Sequence, residues 1–177
     1  MTEKPYGERS WEKGATGEEK LGRLLDEKLS GKVIGLHDRA VPGTRGNIDH
    51  IYVTSNGIWV VDAKNYSGLV EHQNAGSLLK PDIRLILNGK DRTNLITGIE
   101  WQAEAIQTAL GNTTMKVYKA ICFTHAEWNL MNPPFVLQDV FVTHIRGLRK
   151  KLEQAGQIDD RTMVETARLL AKALPSK

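Results

Sequence analysis

Apolar and polar positions change period along this chain, and each change predicts an element. Leu21, Leu25 and Leu29, with Leu24 beside them, recur at helical spacing and stop at Ser30-Gly31. Thr16-x-x-Glu19 ahead of them has the form of a capping box. It predicts a helix starting near Thr16 and leaves residues 1–13 as an N-terminal arm. Strand patterns follow over 33–41, 48–54 and 58–65, the last two separated by Ser55-Asn56-Gly57, a hairpin signal. Shorter ones cover 69–72 and 83–87. The period then lengthens: Ile99, Ala103, Ile106 and Leu110 share one side of a helix predicted over 95–110. A compact apolar run at 117–123 reads as a buried strand, 140–142 as one more, and amphipathic helices are predicted at 145–155 and 159–174.

That order predicts an α/β (α+β) domain, a central mixed sheet with helices packed on it. Composition does not alter the picture: 177 residues, 40% apolar and 25% charged, suit one globular domain with its own core. Residues 14–125 carry the informative patterns, and 126–177 add a strand and helices packed on the same domain. The single cysteine, Cys122, excludes a disulfide framework, and no Cys-x-x-Cys or paired-His zinc spacing occurs. The N-terminus lacks the apolar stretch of a signal peptide, and apolar runs fall far short of the ~20 residues that cross a bilayer. The expectation is a cytoplasmic protein with no membrane partner. A net charge of +3 permits a polyanionic partner without requiring one.

Chemistry concentrates in Asn47-Ile48-Asp49-His50-Ile51-Tyr52-Val53 and Ile58-Trp59-Val60-Val61-Asp62-Ala63-Lys64. Strand side chains alternate between faces, so Asp49 shares a face with Ile51 and Val53, and Asp62 and Lys64 share one with Ile58 and Val60. Charged groups on apolar stripes are costly unless paired or used. A type I′ turn at Asn56-Gly57 would set Ser55 opposite Ile58 and Asp49 opposite Lys64, with Asp62 on the diagonal. Direct neighbours lie ~5 Å apart and diagonals ~7–8 Å, within reach of one shared ion. Two carboxylates and an ammonium so placed suit metal-assisted phosphodiester hydrolysis. The same spacing also fits a plain Asp49–Lys64 ion pair at a sheet rim. Glu18 aligns with Leu21, Gly22 and Leu25 on the inner face of the first helix, where it can supply a further ligand or simply complement the helix dipole.

These residues, in this order, resemble the nuclease-related domain (NERD), a branch of the PD-(D/E)XK nuclease superfamily. The resemblance runs from Gly14-x-x-Gly17-Glu18 through Asn47-Ile48-Asp49-His50 and Gly57-Ile58-Trp59-Val60-Val61-Asp62-Ala63-Lys64-Asn65-Tyr66-Ser67-Gly68 to Asn94 and Gln102. It implies a restriction-endonuclease-like fold, a mixed β-sheet flanked by helices. It also implies a Mg2+-dependent nuclease acting on DNA, with Mn2+ able to substitute. Glu18, Asp49, Asp62, Lys64 and Gln102 would form the catalytic site, and Asp49, Asp62 and Glu18 would hold the metal. The chain departs from the pattern in having Asp62 where Glu is common, no Pro before Asp49, and extra residues without Pro ahead of Gln102.

Lys80, Arg84, Lys90 and Arg92 flank a hairpin next to this segment and are the candidate DNA contacts. Arg146, Arg149, Lys150 and Lys151 read as a solvated helix face. His50 points away from Asp49 and reads as structural. Two rival readings stand beside the nuclease: a non-cleaving nucleic-acid-binding or sensor module of the same fold, and an interaction protein built on the C-terminal helices. Oligomeric state is open, a homodimer included.

Overall fold

The computed structural model describes residues 6–111 and 115–177. Helix α1 (Tyr6–Leu29) leads into β1 (Ile34–Ala40), β2 (Asn47–Thr54), β3 (Gly57–Lys64), β4 (Val70–Asn74), β5 (Ile83–Leu87) and β6 (Lys90–Asp91). Then come α2 (Asn94–Gly98), α3 (Glu100–Leu110), β7 (Val117–Phe123), β8 (Phe135–Leu137), β9 (Val140–His144), α4 (Ile145–Leu152) and α5 (Asp160–Ala173). A mixed sheet runs in the order β1-β2-β3-β7-β9-β8, and β4-β5-β6 form a second, three-stranded sheet. β2 is antiparallel to β1 and β3, whereas β7 is parallel to both β3 and β9. The start of β2 therefore lies at the same end of the sheet as the finishes of β3 and β7.

Strand alternation divides the interior into two cores. Tyr52, Trp59, Val61, Ala63, Ala120 and Cys122 pack against Leu21, Leu25 and Leu29 of α1 and Leu148 and Leu152 of α4. Ile51, Val53, Ile58, Val60 and Ile121 face the opposite way, against Ile96, Ile99, Ile106, Met163 and Leu170 of the α2, α3 and α5 region. Val70, Leu85 and Leu87 of the small sheet join this second core. Each buried Leu or Ile contributes about 1.5–3 kcal/mol relative to exposure. Truncating one that anchors α1, such as Leu25, therefore loosens the helix that carries Glu18. Among the described residues no helix is long and apolar enough to cross a membrane.

Several elements differ from the sequence expectation. Of the expected arm, residues 1–5 lie outside the described residues, and α1 already runs from Tyr6. A Thr-x-x-Glu pattern permits a helix start but does not impose one, and strong helix formers on its N-terminal side propagate the helix. The helix expected over 95–110 is interrupted after Gly98, a poor helix former, with Ile99 buried between α2 and α3. β6 and β8 were not expected; both are too short to show a period.

Candidate functional site

The β2–β3 hairpin holds the charged residues, and its register differs from the expected one. Thr54 faces Gly57, Val53 faces Ile58 and His50 faces Val61, so Ser55-Asn56 is the two-residue turn. Neither turn residue has a positive φ, which rules out type I′. The Asn56 side chain is used in tertiary bonds instead: its Nδ2 donates to the carbonyls of Lys151 and Gln154 at 3.1 and 2.8 Å, and its Oδ1 accepts from Trp59 Nε1 at 2.9 Å. Gly57 starts β3 at φ 142°, where a Cβ would sit 2.7 Å from the Lys116 carbonyl oxygen. The slip is two residues, so side chains keep their faces, but Asp49 now neighbours Asp62 instead of Lys64.

The β2–β3 ladder ends at His50–Val61, and the Asp49 side chain takes over from it. Ala63 N–H donates to Asp49 Oδ2 at 3.1 Å. The pleat is disturbed on the other side too: Asp38, opposite Asp49, is unpaired between His37–His50 and Arg39–Ile48 and has a φ of 45°. Ile48 and Ile51, three residues apart, consequently face the same core. The Asp49 carboxylate is thereby turned into the gap between β2 and β3, against Asp62.

Burial, the negative charge of Asp62, a hydrogen bond with the Asp62 side chain and the charge of Glu18 all raise the Asp49 pKa well above the usual carboxylate range, offset only in part by the Ala63 amide. Asp62 is 6% exposed and accepts from Lys64 Nζ at 2.6 Å. Burial alone would lower the Lys64 pKa, but Asp62 and Asp49 outweigh it and raise it, so the ammonium stays charged. Glu18 joins from α1. A Cβ at the preceding Gly17 would lie 2.7 Å from Asn65 Cβ, so glycine there lets the helix pass close to the end of β3. Burial raises the Glu18 pKa first; Lys64 opposes that rise, and Asp62 and Asp38 add to it.

The structure thus gathers Glu18, Asp49, Asp62 and Lys64 into one electrostatic cluster. Gln102 sits apart by bonding: it is 5% exposed on the inner side of α3, and its Oε1 has no partner among the described residues. Two touching carboxylates are a donor set that fits a hard cation which keeps water in its other positions. Among the described residues no group of three or more His, Cys, Asp or Glu side chains stands ready to hold a metal. Glu18 is close enough to act on the pair by charge without completing such a group.

The candidate DNA contacts fare differently from one another. Arg84 is tied to Asp82 at 2.7 Å and to Asp91 at 3.1 Å, so its charge is spent within the small sheet. Lys80 and Lys90 are exposed, and the Arg92 guanidinium lies 5.9 Å from the Tyr66 ring centre.

One polar constellation escaped the sequence reading. Beneath α1, Asp26 Oδ2 meets His37 Nε2 at 2.9 Å, and His37 Nδ1 meets His50 Nδ1 at 2.8 Å. With neutral imidazoles, the tautomers that satisfy both contacts have His37 donating to Asp26 and His50 donating to His37. His50 Nε2 is then a bare acceptor, buried and without a partner among the described residues. Burial, and then His37, lower the His50 pKa to about 3. Gly22 of α1 rests on both rings, 3.3 Å from His50 Cε1 to where a Cβ would be. Only the β1–β2 register brings His37 opposite His50; nothing local to either residue signals it. A cavity of about 580 Å³, lined by Glu18, Asp26, His37, Asp49 and His50 among others, connects this chain to the acidic cluster.

A mixed sheet flanked by helices, with two acids and a lysine gathered on its β2–β3 strands, is the restriction-endonuclease-like fold. Residues 13–124 match the model of the nuclease-related domain, NERD, and the chain belongs to that family, a branch of the PD-(D/E)XK superfamily. No curated protein and no solved structure matches the chain.

Proposed function

We propose that this chain is a Mg2+-dependent nuclease that hydrolyses DNA phosphodiester bonds, with Mn2+ able to replace Mg2+. The observation that carries the reading is the pairing of half-buried Asp49 with buried Asp62, with Lys64 2.6 Å from Asp62. An acid held protonated against a second carboxylate is a site that gains from a divalent cation. Asp49 and Asp62 would hold the ion, with Glu18 adding negative charge beside them. When bound, Mg2+ supplies a Lewis acid for the phosphate and a water of lowered pKa. The Lys64 ammonium, freed from sole service to Asp62, orients water or meets developing charge on the phosphate. Ala63 N–H keeps the Asp49 carboxylate turned toward Asp62.

The direct test incubates the protein with linear, circular, single-stranded and branched DNA under Mg2+ and Mn2+, beside Asp62→Ala. Cleavage by wild type alone is expected. Equal cleavage by Asp62→Ala, or none by either protein, overturns the assignment. The second reading, a binding or sensor module that does not cleave, draws on the Lys64–Asp62 ion pair, which can satisfy this buried acid without a metal. DNA binding without cleavage in the same assay selects it.

A further inference from the structure

Resting on the nucleic-acid reading above, we infer that the substrate is bound as unpaired, single-stranded DNA, with bases stacked on Tyr66 and Trp101 on either side of the acidic pair. Large aromatic rings are usually at least partly covered, and here Tyr52, Trp59 and Phe123 are buried while Tyr118, Trp128, Phe135 and Phe141 are half-buried. Of the Phe, Tyr and Trp residues whose side chains are described, Tyr66, 40% exposed, and Trp101, 38%, are the most open to water. Both lie at the end of the sheet that carries Asp49 and Asp62.

Their placement follows from topology. Trp101, in the first turn of α3, lies over Gly46: a Cβ there would be 2.6 Å from Trp101 Cη2. Gly46 ends the β1–β2 connection, directly before the strand that carries Asp49. Tyr66 follows Lys64 at the end of β3 and leans on Phe123, the last residue of β7, at 6.3 Å between ring centres. In sheet order the sequence is Trp101 at the β1–β2 loop, Asp49 on β2, Asp62 and Lys64 on β3, and Tyr66 against β7. The two rings bracket the acids. The Arg92 guanidinium lies 5.9 Å from the Tyr66 ring centre, exposed Arg45 directly precedes Gly46 in the loop that meets Trp101, and neither arginine is ion-paired among the described residues.

Rings with cations alongside match unpaired nucleotides, whose π-faces stack on aromatic side chains while the phosphates meet charge. A duplex offers no such faces, because its bases are stacked on one another. Duplex binding depends instead on a broad basic surface. Here that surface is thin: the net charge is +3, and Arg84 is neutralised by Asp82 and Asp91.

Fluorescence anisotropy with labelled oligo(dT), a duplex of equal length and oligo(rU), all in chelator, tests this without any cleavage. Wild type is expected to bind oligo(dT) at least about tenfold more tightly than duplex, and no more weakly than oligo(rU). Tyr66→Ala and Trp101→Ala should each weaken oligo(dT) binding about five- to tenfold with duplex binding unchanged, and Tyr66→Phe and Trp101→Phe should retain it. Melting curves on the same samples identify any variant that fails to fold, and the phenylalanine variants then carry the comparison. Duplex bound as tightly as oligo(dT), a stronger preference for oligo(rU), or equal losses on both DNA forms overturns the inference. Because no step requires a metal or turnover, the nuclease assignment and this one fail separately.

Discussion

The β2–β3 hairpin buries polar groups on both sides, and the two sides handle burial in opposite ways. Under α1, Asp26, His37 and His50 form a chain of hydrogen bonds in which burial keeps His50 neutral. At the open end, Glu18, Asp49 and Asp62 crowd negative charge around one ammonium, and burial pushes Asp49 toward its protonated form. The first arrangement is a structural solution: imidazoles shed charge and share protons. The second is strained toward function, because like charges in a partly dry gap favour whatever cation can enter. Neighbouring residues in sequence, Asp49 and His50, belong to different solutions because the broken pleat turns Asp49 into the gap toward Asp62 while His50 stays under α1 against His37.

The largest effect that would separate the two sides concerns Lys64. Lys64→Ala should retain divalent-metal binding by calorimetry while cleavage falls by about 10²–10³-fold, the scale for removing one preorganised charge-stabilising group. Unchanged cleavage would reduce Lys64 to a counter-ion for Asp62. Next comes Gly17→Ala. The new methyl has to displace Asn65 or the helix, at a cost of about 1–3 kcal/mol for overpacking, less what alanine returns in helix propensity. Metal affinity should fall with stability, since Glu18 moves with the helix; a variant that loses stability but keeps wild-type affinity separates Glu18 from the site.

The buried histidine gives a pH dependence of defined sign. His50 has a folded pKa of about 3, below its unfolded value, so the unfolded chain takes up the proton first. Its contribution is therefore intact at neutral pH and is lost as pH falls from about 6.5 toward 3, by up to about 1.4 kcal/mol per pH unit. Melting curves from pH 7 to 4 should show a shallower acid slope for His50→Gln than for wild type; identical slopes would remove His50 from the account. Asp49 runs the other way. Its raised pKa means that stability drops as pH climbs above the ordinary carboxylate range, where the folded protein must give up a proton it prefers to keep.

The smallest effect follows from that last point. Asp62 is ion-paired with Lys64 at 2.6 Å, whereas Asp49 lowers its charge cost only through the Ala63 amide and the more distant Lys64, against burial and two acids. Asp49→Asn should therefore melt higher than wild type in chelator, by on the order of 1 kcal/mol, and gain less from added Mg2+ or Mn2+. The amide oxygen can still accept from Ala63. If the variant is the less stable protein in chelator and wild type does not respond to metal, the acids are structural and the contrast between the two sides disappears.

Much of this was determined by the sequence alone. Alternating apolar positions at 48–54 and 58–65 defined the hairpin and, wherever the pleat is regular, its two faces; Ile48, turned to the same core as Ile51 where the pleat breaks at Asp38 and Asp49, is the exception. The α1 stripe at Leu21, Leu25 and Leu29 likewise placed Glu18 on an inward face. What the tertiary structure decided was partnership. Asn56 bonds the Lys151 and Gln154 carbonyls, almost a hundred residues away, and that contact sets a register two residues from the one local turn chemistry favours. Asp49 thereby meets Asp62 and leaves Lys64 to Asp62. His37 meets His50 only because β1 pairs with β2 in one register. Tyr66 and Trp101 flank the acids only because β7 and α3 pack where they do. Faces follow from local geometry, whereas neighbours across strands depend on energies shared over the whole fold.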